Sequence, residues 1–262
     1  MSEVQEAPFE VSAASNVVRK AGRLGALLPV GAPQLKTISH YATGASLPVA
    51  PPSFKWGSSI SEWGMLCNDR IGCCTISAVG HALMAYYAEV GQSFPIPSDA
   101  VIESTYFGLT GGPDTGLVET TVLSTWEKTG LFNNKIAHWI PVDIHNEAEV
   151  RSALYVFGTI YIGVTLPQSA EIQFESGNGW TVVPGSPIIG GHAVLLMGST
   201  ENEFDVITWG AEITATYDWL TTYTMEAYVI LPEVFITSGR GPLEQLDLAL
   251  LESDYATLGA PQ

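Results

Sequence analysis

A two-lobed α+β fold is what this sequence predicts, and three observations carry the prediction. Residues 51 to about 155 place apolar side chains at helical spacing, residues 156 to 232 hold short β-branched and aromatic runs, and glycine closes segments of both kinds. Helices first and strands second put the two kinds of element in separate layers, with a cleft between lobes as the expected place for a site.

The elements can be taken in order. Residues 1–50 read as an N-terminal arm rich in Ala, Gly, Ser and Pro, with a short helical stretch around "SNVVRKAGRLGALL" and an end at "GASLPVAPPSF". Arg19, Lys20, Arg23 and Lys36 face three acids there, so the arm is near neutral while the body carries almost all the negative charge. A partner-docking extension that supports a homo-oligomer or particle assembly, a remnant of an inhibitory pro-segment, and a loosely ordered terminus all fit such an arm. From Thr75 to Val90, Ile76, Val79, Ala82, Leu83, Tyr86, Tyr87 and Val90 recur at helical spacing, and Gly91 supplies the stop. "VETTVLSTWEKTG" and "NEAEVRSALYVFG" make two further helices that end in glycine. "TIYIGVTL", "GHAVLLMGS", "EFDVITWG" and "AYVILP" then read as antiparallel strands, and residues 233–262 as a C-terminal tail.

Composition narrows the function classes. With 262 residues, 46% hydrophobic and 14% charged, the chain buries a substantial core. A net charge of -17 with only ten Lys and Arg argues against nucleic acid, whose phosphates need basic clusters. No apolar run approaches the roughly 20 residues of a membrane span, and "MSEVQEAPFE" has neither the basic start nor the apolar stretch of a signal peptide. Three cysteines cannot build a disulfide framework, so a cytoplasmic or virion-associated protein is expected. Metal-ligand spacings such as C-x-x-C, and the Gly-rich fingerprints of nucleotide loops, are missing, so no metal and no cofactor are expected.

Chemistry is suggested by two residues. Cys74 stands at the start of the longest helical run, where unpaired N–H groups and the helix dipole favour a thiolate. His192 lies in "PIIGGHAVLLMG", at the beginning of a strand behind two glycines that let backbone come close. His81 falls two turns along the helix from Cys74, too far to contact it, and His40, His138 and His145 sit in polar or loop-like surroundings.

At these positions the sequence resembles the papain-like cysteine peptidases, as a divergent bacterial or phage member, over roughly residues 50 to 232. Pro51, Trp56 and Cys74 follow the family's spacing of a Pro, a Trp five positions on and the nucleophile eighteen further. Asn68 stands six before Cys74, at the place of the family's oxyanion-hole Gln, and Gly72 matches its glycine two before the nucleophile. Gly111 and Gly112 of "GGPDTG" resemble the loop that pairs with substrate backbone, His192 to Val194 the "HAV" strand with Gly191 before it, and "ITWG" at 207–210 the Asn-Ser-Trp-Gly segment.

The resemblance implies hydrolysis of a peptide or isopeptide bond through a thioester. Cys74 attacks the carbonyl, His192 pairs with the thiolate and protonates the leaving amine, and Asn68 with the Cys74 N–H stabilises the oxyanion. The partner implied is a peptide or protein substrate.

The sequence departs from the family pattern in several places. The family's His-orienting Asn falls on Ile207 if Trp209 sets the alignment, and on Thr208 if the sixteen-residue interval from His192 does. Asp205 is a further candidate. A one-residue slip reverses the face of a strand, so the two alignments exclude each other, and Thr208 is preferred because its hydroxyl can bond the imidazole. Thr75 replaces the Trp after the nucleophile, Ile71 a disulfide cysteine, and Cys73 a serine. These losses keep a second reading open: a catalytically decayed papain-fold protein with a structural or assembly role, such as a virion component.

Overall fold

The structure, a computed structural model, describes residues 19–29, 35–44, 46–239 and 245–258. In chain order the elements are β1 (Phe54–Lys55), α1 (Cys74–Glu89), α2 (Asp99–Thr110), α3 (Glu119–Lys128), β2 (Ile136–Pro141), α4 (Glu147–Phe157), β3 (Ile160–Pro167) and α5 (Gln168–Glu175). They continue with β4 (Ile188–Ser199), β5 (Glu203–Thr208), β6 (Ala211–Thr216), α6 (Tyr217–Tyr223), β7 (Thr224–Pro232), α7 (Glu233–Thr237) and α8 (Leu248–Leu258), and a single 3-10 turn at Ile38–Tyr41 precedes them all.

The α+β class is as expected, and α1, α3 and α4 fall where the apolar spacing puts them. At the start of α4 the Asn146 side chain accepts from the Glu149 N–H, and Gly158, at φ +86°, ends the helix. Helix α1 differs in kind. Every residue from Cys74 to Tyr86 is buried, Thr75, Ser77 and His81 included, so this helix stands inside the molecule.

All strand pairs in the sheet are antiparallel, in the order β2-β7-β3-β4-β5-β6, with β1 added on β4. Strand β4 shows how the sheet divides the core. Ala193, Leu195 and Met197 pack with Cys74, Val79 and Val122 of the α1 and α3 layer, whereas Val194 and Leu196 pack with Phe157, Phe204 and Trp219 on the other face. Both faces are covered, which is why these strands read as continuous apolar runs rather than as alternation.

Three sequence expectations need correction. The stretch "SNVVRKAGRLGALL" is extended, not helical, from Arg19 to Leu28, its first residues lying outside the described ones. Its backbone is committed to bonds with Asn68, Gly191 and Leu117, and Gly22 and Gly25 weaken any helix. The residues after 232 are more than a tail: Phe235 of α7 is buried against Tyr86, and Tyr255 of α8 bonds the backbone of Trp139 through its hydroxyl. Strands β2 and β6 and helix α2 were not foreseen.

On the face of the sheet away from α1, Trp180 is fully buried, stacked 4.4 Å from Trp219 and donating from Nε1 to the Ala170 carbonyl at 2.9 Å. Trp180→Ala leaves a cavity and removes the indole bond to the Ala170 carbonyl. It is expected to cost about 3–5 kcal/mol, read as a lower urea midpoint at unchanged slope.

Candidate active site

The nucleophile candidate is set by a bend and a helix start. Leu66 and Cys67 take positive φ values of 48° and 70°, turning the chain so that Asn68 and then Cys74 face the same small cavity. Neighbouring residues on a helix point about 100° apart. Cys73 accordingly faces elsewhere, its sulfur 3.3 Å from Ser77 Oγ and 3.6 Å from the Leu66 carbonyl inside the helical layer. All three thiols are free, so no vicinal disulfide joins Cys73 to Cys74.

The same cavity is lined by His192, Ala193, Ile207, Thr208 and Trp209. His192 Nε2 and Thr208 Oγ1 are 2.8 Å apart and both residues are buried. Strand parity explains the choice between the two alignments. Leu195 pairs with Ile207 and both join the α1 side of the core, whereas Thr208 follows at the next position and so turns to the face that His192 shares with Val194 and Leu196. Asp205, opposite Gly198, is further along the strand. Trp209, held at φ +45°, stacks its ring on His192 with centroids 4.6 Å apart and closes that side against water. This leaves Nδ1 of His192 buried with no hydrogen-bond partner.

A peptide already lies here, and it is the arm. Arg19 to Ala21 line a groove with Phe174, Trp209 and Met65. The Arg23 N–H donates to the Asn68 carbonyl at 2.6 Å, and Asn68 Nδ2 donates to the Arg23 carbonyl at 2.9 Å. The N–H groups of Gly25 and Ala26 both donate to the Gly191 carbonyl at 3.1 Å, while Leu117 exchanges bonds with Gly25 and Leu27 on the other side. Contact is so close at Gly25 that a Cβ there would stand 1.7 Å from the Gly72 carbonyl oxygen. Only glycine fits.

Electrostatics follow from this cover. Burial pushes the Cys74 thiol up to about 12, and Glu119 adds to the rise, against the N–H groups of Ala193, Gly25 and Thr75, which favour thiolate. Burial likewise takes His192 down to about 3. Desolvation outweighs the helix dipole, so with the arm seated both groups are neutral at pH 7. His81 is also brought down to about 4 by burial, its Nε2 bonded to the Gly64 carbonyl at 2.9 Å, which gives it a structural place.

Of the residues singled out by sequence, Asn68, Cys74, His192 and Thr208 are brought together, and Gly191 meets the arm. Gly111 and Gly112 are not: they stand exposed at the end of α2 with open space around them. The backbone against the arm belongs to Gly116 and Leu117, and the last glycine of "GGPDTG" is the signal that could have found it. Asp114, between them, accepts from the Gly72 N–H and the Tyr106 hydroxyl, and that hydroxyl accepts from the Gly116 N–H. The arm-binding segment and the nucleophile loop are thereby braced together.

No protein-family model and no curated protein matches this chain. Solved structures do. The chain is similar to xylellain, a cysteine protease from Xylella fastidiosa, with 17% identity and a TM-score of 0.65 over 81% of this chain and 97% of that one. It is similar to procathepsin B S9 from Trypanosoma congolense, with 13% identity and a TM-score of 0.56 over 80% and 86% of the two chains. A third likeness is to the ragweed Amb a 11 cysteine protease in its proform, with 16% identity and a TM-score of 0.52 over 70% and 66%. Among the described residues no helix is long and apolar enough to cross a membrane. Helix-borne Cys74 and the antiparallel sheet that carries His192 thus belong to a chain with the papain-like cysteine protease fold.

Proposed function

We propose that this chain is a cysteine peptidase or amidase that opens peptide or isopeptide bonds through a thioester on Cys74, and that arm residues 19–28 hold it closed. The observation that carries the reading is the arm itself: extended backbone crosses Cys74 while the Arg23 carbonyl receives the Asn68 amide. A carbonyl is accepted where an oxyanion would need a donor.

In the open state the Cys74 proton passes to Nδ1 of His192, whose Nε2 is held by Thr208, and the thiolate attacks the substrate carbonyl. The carbon becomes tetrahedral and its oxygen takes the Asn68 amide donor. His192 then gives the proton to the leaving amine, and water, deprotonated by His192, releases the acid and the thiol. Trp209 keeps bulk water from the His192 face. The pro-forms among the similar structures support a closed state of this kind for the arm.

The test is residue-specific labelling. A peptidyl acyloxymethyl ketone, given to the full chain and to a full-chain variant with the arm displaced, is expected to modify Cys74 alone, faster in the variant, as mapped by mass spectrometry. Cys74→Ser should abolish labelling. Label spread over Cys67, Cys73 and Cys74 alike, or absent from Cys74 once the arm is displaced, would sink the proposal.

A further inference from the structure

Two polar side chains of α1, Ser77 and His81, take no part in the chemistry just described, and both are buried. They stand four residues apart on one stripe of the helix and reach the same short loop. Ser77 Oγ donates to the Leu66 carbonyl at 2.9 Å. A serine inside a helix ordinarily bonds back to the carbonyl four residues before it, here Cys73, but that oxygen lies further off, at 3.1 Å. His81 Nε2 is 2.9 Å from the Gly64 carbonyl, which can only accept, so this nitrogen carries the ring proton. Trp63 meets the His81 ring edge-on at 5.9 Å. Between them, Gly80 lets the loop lie flush on the helix: a Cβ there would stand 2.6 Å from Leu66 Cδ1.

The loop so gripped has a disfavoured shape. Leu66 and Cys67 take left-handed backbone in succession, at φ 48° and 70°, where side-chain-bearing residues are strained. Strain of this kind persists where neighbours impose it. Helix α1 imposes it from one side through the two carbonyl bonds, and the Trp209–Gly210 turn from the other, since a Cβ on Gly210 would lie 2.8 Å from the Gly64 carbonyl carbon.

What the loop delivers is Asn68. Its N–H donates to the Met65 carbonyl at 3.0 Å, and its side-chain amide reaches the Arg23 carbonyl of the arm at 2.9 Å. The family resemblance puts a glutamine at this place, one carbon longer. An amide on the shorter side chain meets the same carbonyl only if its own backbone stands closer. The two carbonyls held by α1 belong to the residues four and two places before Asn68, so they fix where that backbone stands.

Resting on the reading of Cys74 as a nucleophile, we propose that Ser77 and His81 are positioning residues for its oxyanion donor: from α1 they draw the Gly64–Cys67 turn against the nucleophile helix and bring the short Asn68 amide level with the carbonyl that Cys74 attacks. They act through Asn68 and not through His192, which is held by Thr208.

The test uses the full chain carrying Gly25→Leu and two reagents for Cys74. Carbobenzoxyglycine p-nitrophenyl ester reacts through an oxyanion: the thiolate adds to the ester carbonyl, the oxygen takes the charge, and the carbonyl re-forms as nitrophenolate leaves, giving the thioester. Iodoacetamide reacts by direct displacement of iodide at carbon, with no oxyanion to stabilise. Asn68→Ala is expected to slow acylation by at least about 100-fold, the usual worth of one such donor, and Ser77→Ala and His81→Leu each by at least about tenfold, with alkylation of Cys74 changed by less than about twofold. His81→Gln, which keeps an N–H donor, should restore most of the rate. Added to Asn68→Ala, neither substitution should cost more than about twofold further, because the donor they place is gone. Acylation that Asn68→Ala or the α1 variants leave unchanged, equal slowing with both reagents, or losses that add to that of Asn68→Ala overturn the positioning role while leaving the nucleophile standing. If His81→Leu does not fold, Ser77→Ala, which deletes one oxygen, decides alone. A Gly25→Leu chain in which neither reagent finds Cys74 removes the peptidase reading and this inference with it.

Discussion

Replacing Gly25 with leucine is expected to raise the rate at which a peptide electrophile labels Cys74 at pH 7 by at least about 100-fold. The argument begins with space. A Cβ at Gly25 would stand 1.7 Å from the Gly72 carbonyl oxygen, which is backbone and cannot swing aside, and Gly116 approaches the Gly25 carbonyl from the other direction. The arm must lift. Its departure uncovers a thiol that burial holds at about 12, and a solvated cysteine near 8.5 has about a thousandfold more thiolate at neutral pH. Stopped-flow or gel-based labelling measures the change, with Val49→Leu, at a position 87% exposed, as the control that should do nothing. An unchanged rate in a Gly25→Leu chain of unchanged Tm would mean that the arm does not restrain the thiol.

In that displaced background, His192→Ala is expected to cut labelling at pH 6 by about 100-fold and to move the labelling midpoint up toward 8.5. The signs are set by pairing. A thiolate and an imidazolium each stabilise the other's charge, so the open site should lower Cys74 and raise His192. The closed site does the reverse, with Cys74 near 12 and His192 near 3, so the unaltered chain should label appreciably only at alkaline pH. The two profiles therefore run in opposite directions from a free thiol. Thr208→Val, which deletes the 2.8 Å contact to Nε2, should cost only about fivefold, the worth of one ordinary hydrogen bond. A midpoint near 8.5 in the Gly25→Leu chain, unmoved by His192→Ala, would show family positions without family chemistry.

Local patterns made much of this architecture legible. Helices α1, α3 and α4 announce themselves by spacing and closing glycines, and the four long strands by β-branched runs. What stayed hidden depended on partners distant in sequence. Nothing local shows that "RKAGRLGALL" gives up its helical pattern, because the competing bonds come from Asn68, Leu117 and Gly191, at least 40 residues away. Strand β2 escaped because His138 and Pro141 interrupt its apolar run, and it is defined by pairing with β7. At the site, Cys74, His192 and Asn68 were readable by spacing, but Gly111 and Gly112 drew the eye from Gly116, whose importance lies in its approach to Gly25. Ser77 and His81 look like ordinary polar breaks in a helical pattern, and only the return of the loop at Gly64 and Leu66 shows which carbonyls they meet.

The anchoring of the arm has a kinetic corollary. Ile38 and Tyr41 are completely buried, and the Tyr41 hydroxyl is bonded to Asp254 of α8, so the chain is moored in the core ten residues beyond Leu28. A segment tied down that near its docking place is present at an effective concentration of the order of millimolar. Micromolar competitors in free solution therefore face odds of roughly a thousand to one before any contact energy is counted. Cleaving the tether between Leu28 and Ile38 changes those odds at once, because the severed piece dilutes to the concentration of the protein itself. An event of that kind turns a standing equilibrium into a one-way step.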